Sequence, residues 1–197
     1  MTHDILLALL AFAFSTSVTP GPNNMMLLAS GANFGFRRTL PHMFGISIGH
    51  SFMVFLVGLG LAGVFKAEPR LVLMLKLGAV AYMLWLAWKI AHAAPPKEGR
   101  AGGKPFTFAQ AAAFQWVNPK AWAMALTAVT VYVPGGDVAT TALVAGVFAS
   151  VNLPSVSVWA AAGQALRRWL ATAGRMRVFN ITMAVLLVLS LWPVLQM

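Results

Sequence analysis

The stretch Thr19-Pro20-Gly21-Pro22-Asn23-Asn24 constrains this chain more than any other, because it interrupts an apolar run of membrane-spanning length. Residues 5–14 are apolar, Ser15 and Thr16 follow, and residues 25–29 are apolar again. The two pieces read as one spanning helix with two prolines and a glycine in its middle. Proline removes a donor and obstructs the preceding turn, so backbone groups there lose their partners within the helix. In hydrocarbon each orphaned amide or carbonyl costs several kcal/mol, so such a break persists only where other protein groups or a water-lined cavity receive them. Discontinuous helices at mid-depth are where carriers place their cargo.

A second break answers the first. Residues 106–133 form another long apolar stretch, and Val117-Asn118-Pro119-Lys120 stands in its middle, placing a proline, an amide and a cation at membrane depth. Paired interruptions in corresponding places of two halves point to a substrate site between repeats.

Composition sets the class. The chain has 197 residues, of which 59% are hydrophobic and 9% charged, with a mean hydropathy of +0.77. A soluble domain carries about 25% charged residues. The expected fold is an all-α integral membrane protein of six transmembrane helices of about 20 residues each. The absence of cysteine removes disulfides, thiol catalysis and cysteine metal sites. The formal charge of +10 invites a nucleic-acid reading, but the cations fall mostly between spans, as expected of cytoplasmic loops against anionic headgroups, so no nucleic-acid partner is expected. His3 and Asp4 precede the first apolar run without a basic region, so no cleavable signal is expected.

In chain order, span 1 covers about residues 5–30 and carries the first break, and residues 31–39 form a short polar turn. Span 2, about residues 40–65, contains Gly45-Ile46-Ser47-Ile48-Gly49, a spacing of small residues that lets backbones approach, so it packs inside the bundle. A tight loop at residues 66–70 precedes span 3, about residues 71–91, with Tyr82, Trp85 and Trp88 as interfacial anchors. Residues 94–104, reading APPKEGRAGGK, form the only linker. Span 4 covers about residues 106–133 and carries the second break. Span 5, about residues 138–163, contains Asn152 and Pro154 and is expected to be locally irregular. Residues 167–177 are basic and suited to the membrane surface, and span 6 closes the chain over about residues 178–194. The domain reading is a single transmembrane unit: a first repeat over about residues 1–93, a cytoplasmic linker over 94–104 and a second repeat over 105–197.

With both termini outside, ten cations collect on the cytoplasmic side and two, Lys66 and Arg70, on the outer side. That bias predicts periplasmic termini. Three spans per half then oblige the halves to enter the membrane with opposite orientation, as two inverted three-helix repeats with broken helices 1 and 4.

The residues TPGPNN in span 1, GISIG in span 2, AYMLWLAWKI in span 3 and FQWVNPK in span 4 resemble the LysE/RhtB superfamily of bacterial amino-acid exporters. The resemblance covers nearly the whole chain, and the doubled Asn23-Asn24 with WLAWKIA is most similar to the cysteine/O-acetylserine exporter branch. It implies a multi-pass protein of the bacterial inner membrane that exports small neutral amino acids, cysteine- or O-acetylserine-like or else homoserine-, threonine- or leucine-like, by proton antiport. The partners so implied are the substrate, the proton gradient and the lipid bilayer; a homodimer is left open.

The candidate substrate-binding residues are Pro20, Gly21, Pro22, Asn23, Asn24, Gln115, Asn118, Pro119, Lys120 and Asn152. One of Asn23 and Asn24 is expected to cap the second half-helix, whose positive end suits a substrate carboxylate, while the other faces the cavity. Lys120 has three open readings: a structural partner of broken-helix carbonyls, a counter-charge for the carboxylate, or a group that gives up its proton during the cycle. His50, beside Gly49 at mid-span, is the other proton-coupling candidate, against a plain hydrogen-bonded core role. Asn152 lies where His50 lies in the first half. His42 reads as interfacial, and Lys76 as a lysine that snorkels to the surface. No metal site or cofactor is expected, since all four acids stand in loops or at ends. The competing classes are an intramembrane lipid-modifying enzyme, for which His50 with Ser47 or Ser51 is the only constellation, and an accessory membrane subunit, for which the breaks have no use.

Overall fold

Two prolines set the frame, because each opens a helix at the first position, where its missing N–H is no loss. In the computed structural model, which describes residues 1–61, 63, 67–93 and 104–192, Pro22 begins α2 (Pro22–Phe34) after α1 (His3–Val18), and Pro119 begins α6 (Pro119–Tyr132) after α5 (Phe108–Phe114). Between them run α3 (Phe36–Leu56), extended by a wide turn at Val57–Leu61 that kinks at Gly60 (φ 105°), and α4 (Pro69–Ala91). After them come α7 (Val138–Leu166) and α8 (Ala173–Leu189). The described chain is thus all-helical, and its eight α-helices fall into two sets of four in the same order: two halves of a broken helix, a long helix and a closing helix.

Three helical stretches are long and apolar enough to cross a membrane, Phe36–Leu61, Leu73–Ala91 and Val138–Leu166. A fourth joins them if α1 and α2, bent by 55° at their break, count as one span. The sequence predicts six spans. By length and composition the second broken pair and the 17-residue α8 fall short of that test among the described residues.

Several boundaries differ from expectation. The predicted turn over residues 31–39 shrinks to Gly35, whose φ of 83° is open to glycine and closed to most side chains, so α3 restarts at once. α7 runs unbroken through Pro154, which the sequence marks as irregular. Arg175 and Arg177 belong to the first turns of α8 rather than to a separate surface segment. Most of the expected linker over residues 94–104, part of the 66–70 loop and the end of the sixth span lie outside the described residues. Asp137, a turn residue, caps α7: its Oδ1 accepts from the Thr140 amide at 2.7 Å, which holds its carboxyl below the usual carboxylate range.

α7 packs against α1, α2 and α3, while α3 packs on α5 and α4 on α8. The α2–α7 and α3–α5 crossings are tight because glycine stands at each of the two. A Cβ on Gly31 or Gly163 would collide with the facing backbone at Ala160 or Leu28, and one on Gly45 or Gly49 with α5 at Phe108 or Ala112. The small-residue run in span 2 therefore does what its spacing predicts. Two apolar clusters result. One gathers Met26, Leu27, Met43, Ile46, Met83 and Phe114, and the other Leu9, Ala13, Met53, Val54, Ala125 and Phe148. Along α3 and α7 the polar residues Ser47, His50 and Asn152 fall between members of the two clusters, so a polar layer separates two dry ones.

Candidate functional site

The first break leaves the last carbonyls of α1 without helical donors, and each finds one. Within the loop, Thr19 donates from its amide to the Ser15 carbonyl at 3.3 Å and from Oγ1 to that of Thr16 at 3.1 Å. Asn24 Nδ2 reaches back to the carbonyls of Ser17 at 2.8 Å and Thr19 at 2.7 Å. Trp159 Nε1, from α7, donates to the Val18 carbonyl at 2.9 Å. Lys120 Nζ, from α6, donates to the carbonyls of Thr19 at 2.7 Å and Pro20 at 3.2 Å, and to Thr19 Oγ1 at 3.0 Å. The Gly21 carbonyl takes the Met25 amide at 3.0 Å, the first bond of α2. Acceptors that hydrocarbon could not satisfy are thus met by an amide, an indole and an ammonium.

The second break is quieter. α5 tightens into a 3-10 turn at Gln115–Val117, and Asn118 turns extended and caps α6 by accepting the Lys120 amide on Oδ1 at 3.1 Å. Trp122 Nε1 donates to the Trp116 carbonyl at 2.8 Å.

The two breaks face each other. Asn23 Nδ2 donates to Gln115 Oε1 at 2.8 Å, and Gln115 Nε2 returns a bond to Asn23 Oδ1 at 3.3 Å while also serving the Ala111 carbonyl at 2.8 Å. Around this amide pair lies a small cavity of about 20 Å³. Its wall takes Thr16 and Ser17 from α1, Gly21 to Asn24 less Pro22 from the first break, Gln115, Asn118 and Lys120 from the second, and Ala121, Met124 and Val156 as apolar floor. His50 and Asn152 complete it from α3 and α7. Asn152 accepts from Ser47 Oγ at 3.1 Å and donates to Ser17 Oγ at 3.3 Å, tying both long helices to the first break. The His50 ring stands edge-on to Phe148, centroids 5.2 Å apart, and neither ring nitrogen has a protein partner.

Of the residues singled out from the sequence, Gly21, Asn23, Asn24, His50, Gln115, Asn118, Lys120 and Asn152 line this one cavity. Pro20, Pro22 and Pro119 do not line it; Pro20 offers its carbonyl to Lys120, and the other two open half-helices. Neither Asn23 nor Asn24 caps α2, contrary to expectation: Gly21 holds the cap position with no side-chain bond, Asn24 caps the end of α1 instead, and Asn23 crosses to Gln115. The N–H groups opening α2 are therefore left uncapped next to an ammonium, an arrangement suited to an anion. His42 is not interfacial but 2% exposed. Sequence reasoning missed Thr16, Ser17 and Trp159. The first two are polar residues directly ahead of the break and could have been found there, whereas nothing around Trp159 signals a bond to residue 18.

A model of the LysE type translocator family matches residues 14–190. The chain is similar to the cysteine/O-acetylserine efflux proteins of Escherichia coli strain HS, Escherichia coli strain K12 and Shigella sonnei strain Ss046, each 35% identical over 194 residues, covering 95% of this chain and 96% of the relative. No solved structure matches it. With two broken helices clasped around a polar cavity between apolar layers, and a family match over nearly its whole length, the chain is a transporter rather than an enzyme and belongs to the LysE type translocator family.

Proposed function

We propose that this protein exports small neutral amino acids across the bacterial inner membrane by proton antiport, with cysteine and O-acetylserine, which its relatives' names specify, as the first substrates to test. The observation that carries the reading is the clasp of the two breaks, Lys120 on Thr19 and Pro20 and Asn23 on Gln115, over one cavity without a carboxylate among its lining residues. The substrate carboxylate meets the uncapped start of α2 and the Lys120 ammonium. Its ammonium meets amide oxygens of Asn23, Asn118 or Asn152, and its side chain lies toward Met124 and Val156. Recognition then rests on the amino-acid backbone, so selectivity among small side chains is broad. His50, without a partner in the cavity, carries the proton.

Six spans arranged as an inverted repeat belong to this reading, and the packing of the described helices supports them. α1 rests on α7 as α5 rests on α3, α4 and α8 pair with each other, Pro22-Asn23 and Pro119-Lys120 open equivalent half-helices, and His50 and Asn152 hold the same place counted from Phe36 and Val138. The cation bias puts both termini in the periplasm. Cysteines introduced singly at Gly102 and Gln196, positions outside the described residues, test this: an impermeant thiol reagent in intact cells should label Gln196→Cys and spare Gly102→Cys.

The deciding experiment is export from loaded cells, comparing cysteine, O-acetylserine, threonine and leucine. Side-chain variants should compete within about tenfold, or about 1.4 kcal/mol, while cysteamine, which lacks the carboxylate, should not compete. Equal competition by cysteamine overturns the carboxylate site. The three acceptors already around Lys120 Nζ favour a second reading, in which Lys120 clasps the first break and takes no substrate. Under that reading Lys120→Met lowers the rate for every substrate but leaves discrimination against cysteamine intact.

A further inference from the structure

A second, larger cavity of about 510 Å³ opens between α2, α3 and α4. Two deeply buried side chains in its wall carry polar atoms without a hydrogen-bond partner. His42, 2% exposed, bonds through neither ring nitrogen, and Asn33, 5% exposed, leaves Oδ1 free while its Nδ2 donates to the Ala29 carbonyl and Asn180. Native proteins rarely bury such groups unpaired, because an unmet buried donor or acceptor forfeits its hydration. The rest of the wall is mostly apolar, with Ser30 already paired to Thr39, and Lys89, His92 and Lys104 stand around the cavity.

From this we infer that the cavity is a loading vestibule that holds a small zwitterionic amino acid on the cytoplasmic side before it enters the central cavity. The inference rests on the export reading above and on its orientation. A carboxylate suits the lysines, an ammonium suits Asn33 Oδ1, and the imidazole of His42 can serve either group. α2 and α3 join the two cavities. Asn33 and His42 lie roughly 12–15 Å along those helices from Asn23 and His50, at 1.5 Å per residue.

The polar set is one-sided. Counted from the starts of the equivalent helices, the places of Asn33 and His42 are taken by Thr130, which is exposed, and Val144, which is buried in an apolar cluster. Among the described residues, the two buried polar groups thus have no polar, buried counterpart at the equivalent places of the second half, an asymmetry that suits a carrier loading from their side.

The test uses the full chain in proteoliposomes with radiolabelled O-acetylserine, exporting from the side that carries Lys89 and Lys104. His42 makes no hydrogen bond to protein, so His42→Leu breaks none, and a purely structural histidine predicts unchanged or higher thermal stability with unchanged transport. The vestibule predicts a KM raised about tenfold, Vmax within about twofold, and an unchanged or higher melting midpoint. With the central cavity disabled by Lys120→Met, solubilised protein should still bind the label, and adding His42→Leu should abolish that binding. An unchanged KM, or a lowered melting midpoint with KM and Vmax falling together, overturns the proposal. So does a phosphatidylglycerol molecule found by native mass spectrometry on the unsubstituted chain and lost in His42→Leu, with amino-acid binding unaffected, since the cavity is then a lipid site. If the unsubstituted chain exports no amino acid while Lys120→Met still binds the label through His42, the export reading fails and the binding site stands.

Discussion

The two breaks look alike in sequence and differ in how their backbones are satisfied. The second closes on itself: Asn118 caps its own helix, and the Trp116 carbonyl is served by Trp122 six residues on. The first depends on strangers, drawing Lys120 from a position 101 residues away and Trp159 from one 141 residues away. A break completed by its own neighbours is stable in any arrangement of the bundle. One completed in part by other helices depends on those helices staying in place, so any rearrangement of the bundle would act on the first break before the second. Its donors should therefore matter to transport, and those of the second break mainly to local stability.

The largest effect follows from Lys120, the one donor that joins both breaks with a formal charge. Lys120→Met should abolish export while the protein remains in the membrane at normal abundance, since a lysine at a span's centre opposes insertion by roughly 3 kcal/mol and its removal eases that step. Export near the unsubstituted rate, measured from loaded cells against an immunoblot of the membrane fraction, would reduce the first break to a fixed kink.

Next come the two asparagines, Asn24 as a donor to the first break and Asn118 as the acceptor that caps α6. Asn24→Leu orphans the Ser17 carbonyl and leaves Thr19 to Lys120 alone, so it should destabilise the purified protein by about 1–3 kcal/mol. Asn118→Leu removes an ordinary N-cap and should lower stability by about 1 kcal/mol. Thermal unfolding of the two variants in one detergent checks the order. A larger loss at Asn118 would invert the comparison.

Both breaks were legible in the sequence because prolines and asparagines inside apolar runs are a local signal, and the residues beside them fell into one cavity. The donors that complete the first break were legible only in part. Lys120 stands out as a buried cation, but Trp159 is an ordinary aromatic in an apolar helix, and its bond to Val18 is set by how α7 crosses α1. Gly35 was misread for a related reason. The polar arginines after it suggested a loop, whereas one residue at positive φ is enough to redirect the chain. Pro154 carried the opposite lesson, since α7 passes through it without a break. His42 gave no sign of burial because its polarity and its place near a helix start both suggest an interface.

The amide pair between Asn23 and Gln115 sharpens the comparison at smaller magnitude, since it is the neutral link between the breaks. In a double-mutant cycle of Asn23→Leu and Gln115→Leu the coupling should be about 0.6–1.7 kcal/mol, from the average to the maximum for hydrogen bonds between membrane helices. Zero coupling would leave Lys120 as the sole clasp.

The smallest effect tests how tightly Lys120 is seated on the first break. Gly21 has an extended backbone that any residue adopts, so Gly21→Ala brings no strain from φ and restricts the unfolded chain, which stabilises by about 0.4–1 kcal/mol. Against this, the added Cβ would lie 2.7 Å from Lys120 Cδ and 3.2 Å from its Nζ, displacing the ammonium from the carbonyls it serves. Overpacking of this kind costs about 1–3 kcal/mol, less where a flexible side chain yields. The two terms nearly cancel, so Gly21→Ala alone should shift thermal stability little. In a Lys120→Ala background the clash has no partner, and the same substitution should stabilise by the full entropic term. A change of the same sign and size in both backgrounds would mean that Lys120 is not held against Gly21, and the clasp between the breaks would be looser than its hydrogen bonds require.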